Sequence, residues 1–142
     1  IPAVADYQKK VLNRVEKLGM NKAMHVLPHQ HDTAKMIGSL DVLVCPSDKE
    51  AFGLVVLEAY ASGVPVVASR TVGALEVLGN ANGVFVSEPN DPVSLARQIE
   101  AALEYRGRLG GEEPSLSKDV LETVGWERYA RRFEELYHNA MN

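Results

Sequence analysis

The sequence predicts an α/β domain, a parallel sheet with helices on both faces. Three observations carry that reading. Helical and strand-like segments alternate along the 142 residues with short links between them. The runs Val42–Cys45 and Pro65–Ala68 are continuously apolar rather than alternating, as expected of strands covered on both sides. The intervening segments repeat apolar residues at a spacing of three or four, which gives each helix a face to lay on such a sheet.

Taken in order, Val4, Tyr7, Val11, Val15 and Leu18 line one face of a first helix, and Gly19 supplies its C-cap. Met24–Leu27, stopped by Pro28, predicts a strand. Asp32 stands as N-cap of a helix over Thr33–Leu40, with Met36, Ile37 and Leu40 as the buried stripe. After the strand Val42–Cys45, a helix opens at Gly53, runs to about Ser62 and ends at Gly63. Pro65 begins the next strand, where a missing N–H is best tolerated. A short helix over Ala74–Leu78 precedes the strand Val84–Val86. Asp91-Pro92, cap then N1 proline, starts a helix running to about Tyr105 with Leu95, Ile99, Ala102 and Leu103 on its apolar side. The Gly-rich stretch from Arg106 to Pro114 reads as a connection, and Ser115–Thr123 and Trp126–His138 as closing helices. The expected organisation is one domain over residues 1–142, with a core over 1–105 and C-terminal helices over 115–139.

Composition narrows the function classes. Fifteen Lys and Arg against nineteen Asp and Glu leave a net charge of −4 with no basic block, which argues against a nucleic-acid partner. The longest apolar stretch, Leu54–Ala61, is broken by Glu58 and too short to span a bilayer. Cys45 is the sole cysteine, so no internal disulfide can form and a reducing, cytoplasmic setting is expected. His25, His29 and His31 have no third ligand at a metal-binding spacing, so no metal is expected. Trp126 reads as a packing anchor and Cys45 as an inert core thiol.

In open parallel sheets, ligands bind beyond the carboxyl ends of the strands. The segment after Cys45 is the most informative of these. A strand stops at Pro46, a polar loop follows, and a helix begins at Gly53, so free N–H groups and the positive end of the helix dipole point to an anion. Gly53 admits a positive φ or close approach of a phosphate. Glu50 precedes the helix, placed to reach a neutral polyol. Glu58 sits one turn inside an otherwise apolar helix, where a carboxylate suits a vicinal diol such as ribose.

These residues form Glu-x7-Glu within Pro46-Ser47-x-x-Glu50-x-Phe52-Gly53-Leu54-x-x-x-Glu58-Ala59. The pattern continues as Ala61-Ser62-Gly63-Val64-Pro65-Val66-Val67-Ala68, Gly73-Ala74-Leu75-Glu76, Asn82-Gly83-Val84-Phe85-Val86 and Asp91-Pro92. In this order it resembles the C-terminal, nucleotide-sugar-binding domain of retaining GT-B glycosyltransferases of family 4 type. The resemblance covers about Ala34–Leu103, and the tail from Trp126 to Tyr137 is similar to the family's closing helix. It implies a Rossmann-like fold, the C-terminal half of a GT-B fold, and transfer of a sugar from a nucleotide-diphosphate donor with retention. It further implies that Glu50 is the catalytic-site acid, orienting the donor sugar through its hydroxyls. The backbone of Phe52, Gly53 and Leu54 would contact sugar and diphosphate, Glu58 would hold the ribose, and residues near Leu27 would line the base. No cofactor and no metal are implied, the nucleotide sugar being a substrate.

The family's opening strand, its Arg- and Lys-bearing loop and its N-terminal acceptor domain have no counterpart before Val4, and the chain begins at Ile1. The chain therefore reads as a fragment that binds the donor and is inactive alone. An open sheet edge on that side predicts self-association. Three rivals weigh against this reading. A sugar-nucleotide epimerase shares the fold. A non-catalytic α/β module would want a Lys after Val86, where Ser87 and Glu88 stand. A glycoside hydrolase needs two carboxylates converging on one anomeric centre.

Overall fold

The computed structural model describes residues 2–109, together with 130–131, 134–135 and 137–138. Most of the predicted C-terminal helices, Trp126 included, lies outside the described residues. Two compact units are distinguished, residues 1–31 and 32–142.

The first unit holds α1 (Pro2–Lys17). Val15 is buried and Val11 half-buried, whereas Tyr7 and Leu18 of the predicted face are exposed. The helix ends as its glycine requires. Gly19 takes φ 67°, its N–H bonds Glu16 O at 2.9 Å, and the Met20 N–H bonds Val15 O at 3.0 Å, which is a Schellman motif. The predicted strand at Met24–Leu27 does not form. A strand exists only through a partner, and here the Met24 N–H is taken locally by Met20 O at 3.0 Å. Met24, Val26 and Leu27 are exposed, so the short apolar run was a poor guide to pairing.

In the second unit, α2 (Thr33–Gly38) is capped by Asp32, whose carboxylate accepts the Lys35 N–H at 3.2 Å. It stops short of Leu40 because Ser39 closes it, the Ser39 hydroxyl donating to Met36 O at 2.7 Å. Then come β1 (Leu43–Cys45), α3 (Leu54–Ala61), β2 (Val66–Ser69), α4 (Ala74–Leu78), β3 (Val84–Ser87) and α5 (Pro92–Arg108). Asp91 caps α5, accepting from the Val93 and Ser94 N–H groups at 3.0 Å each, with Pro92 in the first turn.

The three strands form one parallel sheet in the order β1-β2-β3. Cys45 pairs with Ala68 and Ala68 with Val86, while Val67 pairs with Phe85 and Ser69 with Ser87. Side chains alternate between faces along each strand. Cys45, Val66, Ala68 and Val84 therefore face one way, into a core shared with Ile37, Val56, Ala59 and Tyr60 from α2 and α3. The Tyr60 hydroxyl donates to Asn82 O at 3.1 Å, and burial, then the nearby Tyr105, raise its pKa. Val67 and Phe85 face the other way, where Phe85 meets Tyr105 of α5 edge-on at 5.9 Å. The result is the expected α/β arrangement with helices on both faces. Val44, on the α5 face of β1, is 36% exposed because α5 lies over β2 and β3.

Candidate functional site

The carboxyl ends of all three strands open on one edge of the sheet, and the loops that leave them are tied to one another. Thr71, after β2, donates its hydroxyl to Ser47 O at 2.6 Å, after β1. Asn90, after β3, donates its side-chain amide to the Asp48 carboxylate at 2.6 Å. Glu50 and Val72 form a parallel β-bridge outside the sheet, and the Ala74 N–H bonds Phe52 O at 2.6 Å. The loops after β2 and β3 are thus both held to the loop after β1, and the segment 46–53 is fixed at its start, middle and end.

Gly53 ends this segment at φ 82°, ψ 56°, the left-handed region. Two constraints select glycine there. An L side chain is strained at that φ, and a Cβ would lie 2.6 Å from Val72 Cγ1 and 3.3 Å from Glu50 Cγ. Gly73 is required by crowding alone, since its Cβ would approach Ala51 O to 2.5 Å. The left-handed turn aims the first turn of α3 out of the loop, and no side chain caps that turn. The Val56 N–H is taken by Gly53 O at 2.9 Å, which leaves the Leu54 and Val55 amides available at the sheet's carboxyl edge.

The residues singled out from the sequence fall around this turn. Glu50 and Phe52 are half-buried, Gly53 is buried, and Leu54 is exposed. Glu58 lies exposed on α3, one turn beyond Leu54. Among the described residues no group of three His, Cys, Asp or Glu converges as a metal site. His29 and His31 meet edge-on with ring centres 5.2 Å apart. No described helix is long and apolar enough to cross a membrane.

Sequence reasoning missed Thr71, Asn90 and the steric role of Gly73. Their partners are 24, 42 and 22 residues away. The Gly73-Ala74 pair was visible in the sequence as a turn before a helix. What it packs against was not.

The open parallel sheet, with an uncapped helix N-terminus at its carboxyl edge, defines a Rossmann-like domain of the type that forms the C-terminal half of GT-B enzymes. Comparison with known proteins is more specific. The model of the family glycosyl transferases group 1 matches residues 4–113, and the chain belongs to that family. An uncharacterized glycosyltransferase of Methanocaldococcus jannaschii is 37% identical over 108 residues, covering 75% of this chain and 27% of the relative. The crystallised C-terminal domain of a glycosyl transferase group 1 family protein from Francisella tularensis superposes with a TM-score of 0.68 at 23% identity. That match covers 87% of this chain and 65% of the other. The structure of Anabaena HepE in complex with UDP gives a TM-score of 0.71 at 20% identity, covering 95% of this chain and 38% of HepE. The chain thus spans about a third of the length of the curated relatives it matches.

Proposed function

We propose that this chain is the donor-binding part of a retaining glycosyltransferase acting on a nucleotide-diphosphate sugar. The observation that carries the proposal is the uncapped first turn of α3 after the left-handed Gly53, braced by the loops that follow β2 and β3. Backbone N–H groups at a helix N-terminus bind phosphate oxygens, and a glycine there lets the phosphate approach. UDP bound to HepE, a protein of the same fold, supports a nucleotide diphosphate as the ligand class.

In this reading the backbone of Phe52, Gly53 and Leu54 contacts the diphosphate and the sugar. Glu50, whose main chain is pinned to Val72, orients the sugar by accepting hydrogen bonds from its hydroxyls. Glu58, exposed on α3, accepts the ribose hydroxyls. Transfer breaks the bond between the anomeric carbon and the diphosphate oxygen, and the acceptor oxygen bonds to the same face of that carbon. The acceptor's proton passes to the departing diphosphate. The α3 amides stabilise the charge that develops on that leaving group. No metal is invoked, and Glu50 is an orienting group rather than a nucleophile.

The acceptor is assigned to a separate N-terminal domain, so this chain alone binds donor without turnover. The lone Cys45 thiol supports a reducing, cytoplasmic setting. Calorimetric titration with UDP, GDP and ADP sugars tests the reading, with Glu58→Ala, at an exposed position, as control. Binding of one nucleotide class, weakened in Glu58→Ala, supports it. Equal heats for the two proteins, or none from any sugar nucleotide, overturn the site assignment. Turnover by the chain alone overturns the division of labour.

A further inference from the structure

The loop that follows β3 carries a residue whose backbone and side chain are both out of the ordinary. Asn90 has φ 57°, and among the described residues it is the one non-glycine residue in the left-handed region. Asparagine tolerates that region better than most side chains do. Its Nδ2 donates to Asp48 Oδ1 at 2.6 Å, a hydrogen bond strengthened by the charge of the carboxylate. Two demands therefore meet at position 90, a left-handed backbone and a side-chain donor. Glycine satisfies the first alone, and aspartate satisfies the first while setting two carboxylates against each other.

The loop that presents this amide is itself fixed. Beside it, the Asp91 carboxylate accepts the Val93 and Ser94 N–H groups, which locks the loop to the start of α5. On its other side, the Glu88 N–H donates to Ser94 Oγ at 3.1 Å, and the Glu88 carboxylate is held by Arg70. An exposed hydrogen bond gains little when both of its ends must be ordered to make it, but here the backbone that carries the donor is ordered already. Asp48 belongs to the segment 46–53 that leads into Gly53. Among the described residues its bond to Asn90 is the only hydrogen bond between that segment and the loop after β3, the other ties coming from the loop after β2.

We propose, resting on the donor-binding reading above, that Asn90 is a positioning residue of the donor site, which holds the segment 46–53 through Asp48 so that the Leu54 and Val55 amides meet the diphosphate. Asn90 itself touches no substrate. It keeps Glu50 and the Gly53 turn in one geometry before the donor arrives, so that binding does not have to order the loop. It also restrains the Asp48 carboxylate, which if freed would be a mobile negative charge in the loop that receives an anion.

Two measurements on the full chain test this, the first without ligand. Asn90→Asp sets a second carboxylate against Asp48, and should shift the amide resonances of Ala51–Val55. In calorimetry it should weaken binding of the nucleotide sugar that the wild type takes up by about tenfold. Asn90→Asp combined with Asp48→Asn exchanges donor and acceptor. It should return the resonances toward their wild-type positions and the affinity to within about threefold of wild type. Asn90→Gly keeps the left-handed backbone, removes the amide without adding a charge, and should weaken binding in the same direction. Positions 48 and 90 are both exposed, so urea midpoints of these variants should stay close to that of the wild type, which separates positioning from folding. The proposal is overturned by Ala51–Val55 resonances that stay in place in Asn90→Asp, or by a paired variant no closer to wild type than Asn90→Asp alone. Equal affinity in wild type and variants overturns it while leaving the donor reading standing. A wild type that binds no nucleotide sugar overturns both.

Discussion

Val72 stands against Gly53 so closely that a Cβ on the glycine would lie 2.6 Å from Val72 Cγ1. Val72 is itself 1% exposed and bridged to Glu50, so it has nowhere to move. The turn that sets the direction of α3 is therefore fixed by a contact between two loops as well as by backbone preference.

Gly53→Ala combines a left-handed φ with that clash, and is expected to destabilise the protein by about 2–4 kcal/mol in urea denaturation. Shortening the neighbour at the same time relieves the clash. The double change Gly53→Ala with Val72→Ala should cost about 1 kcal/mol less than the sum of the two single changes. Strict additivity would mean that the contact plays no part.

Glu58→Ala separates binding from folding. Because Glu58 is exposed on α3, its loss should alter stability by no more than about 0.5 kcal/mol. If it holds ribose hydroxyls, nucleotide-sugar affinity should fall by about 10- to 100-fold, the worth of a hydrogen bond to a charged group. Unchanged calorimetric affinity would remove Glu58 from the site.

Asp91→Ala leaves two amides of α5 without their acceptor. A loss of about 1 kcal/mol is expected, read as a shift in the denaturation midpoint. Asp91→Asn and Asp91→Ser should recover most of it, since either side chain can cap.

The Arg70–Glu88 pair has a defined pH signature. Hydrogen bonds from Arg70 hold the Glu88 carboxyl below its ordinary value, more than its partial desolvation raises it. A carboxylate depressed in the folded state stabilises above its unfolded pKa, and that contribution is lost as pH falls through the folded one. Both side chains are exposed, so the effect is small. Carbon-detected NMR titration should place the Glu88 midpoint below that of Glu88 in Arg70→Gln. Coincident midpoints would show the pair to be without effect in solution.

Much of this architecture was legible in the sequence because it rests on local signals. Asp32 and Asp91 mark their helices by cap chemistry, Gly19 ends α1 by the left-handed turn that only glycine takes easily, and the apolar run at β2 announces a strand covered on both faces, whereas the equally apolar β1 leaves Val44 exposed on one. Met24–Leu27 shows where such signals fail. Three apolar residues around His25 specify a strand's composition but not its partner, and pairing is a long-range event. The same limit explains the site. Glu50, Gly53 and Glu58 stand within nine residues and were readable as a pattern, whereas the Thr71–Ser47 and Asn90–Asp48 bonds exist only once the crossovers have been made.

The central position of β2 also governs how the molecule can assemble. Its four residues are entirely enclosed, with β1 on one flank and β3 on the other. Each flank is a parallel pairing across a helical crossover, so no hairpin is available to start the sheet. During synthesis, Val66–Ser69 must wait for Ser87 to leave the ribosome before the second flank can close, and for α5 before it is covered. Until then the most deeply buried of the three strands is open to passing chains, which makes that interval the one in which a chaperone would matter most.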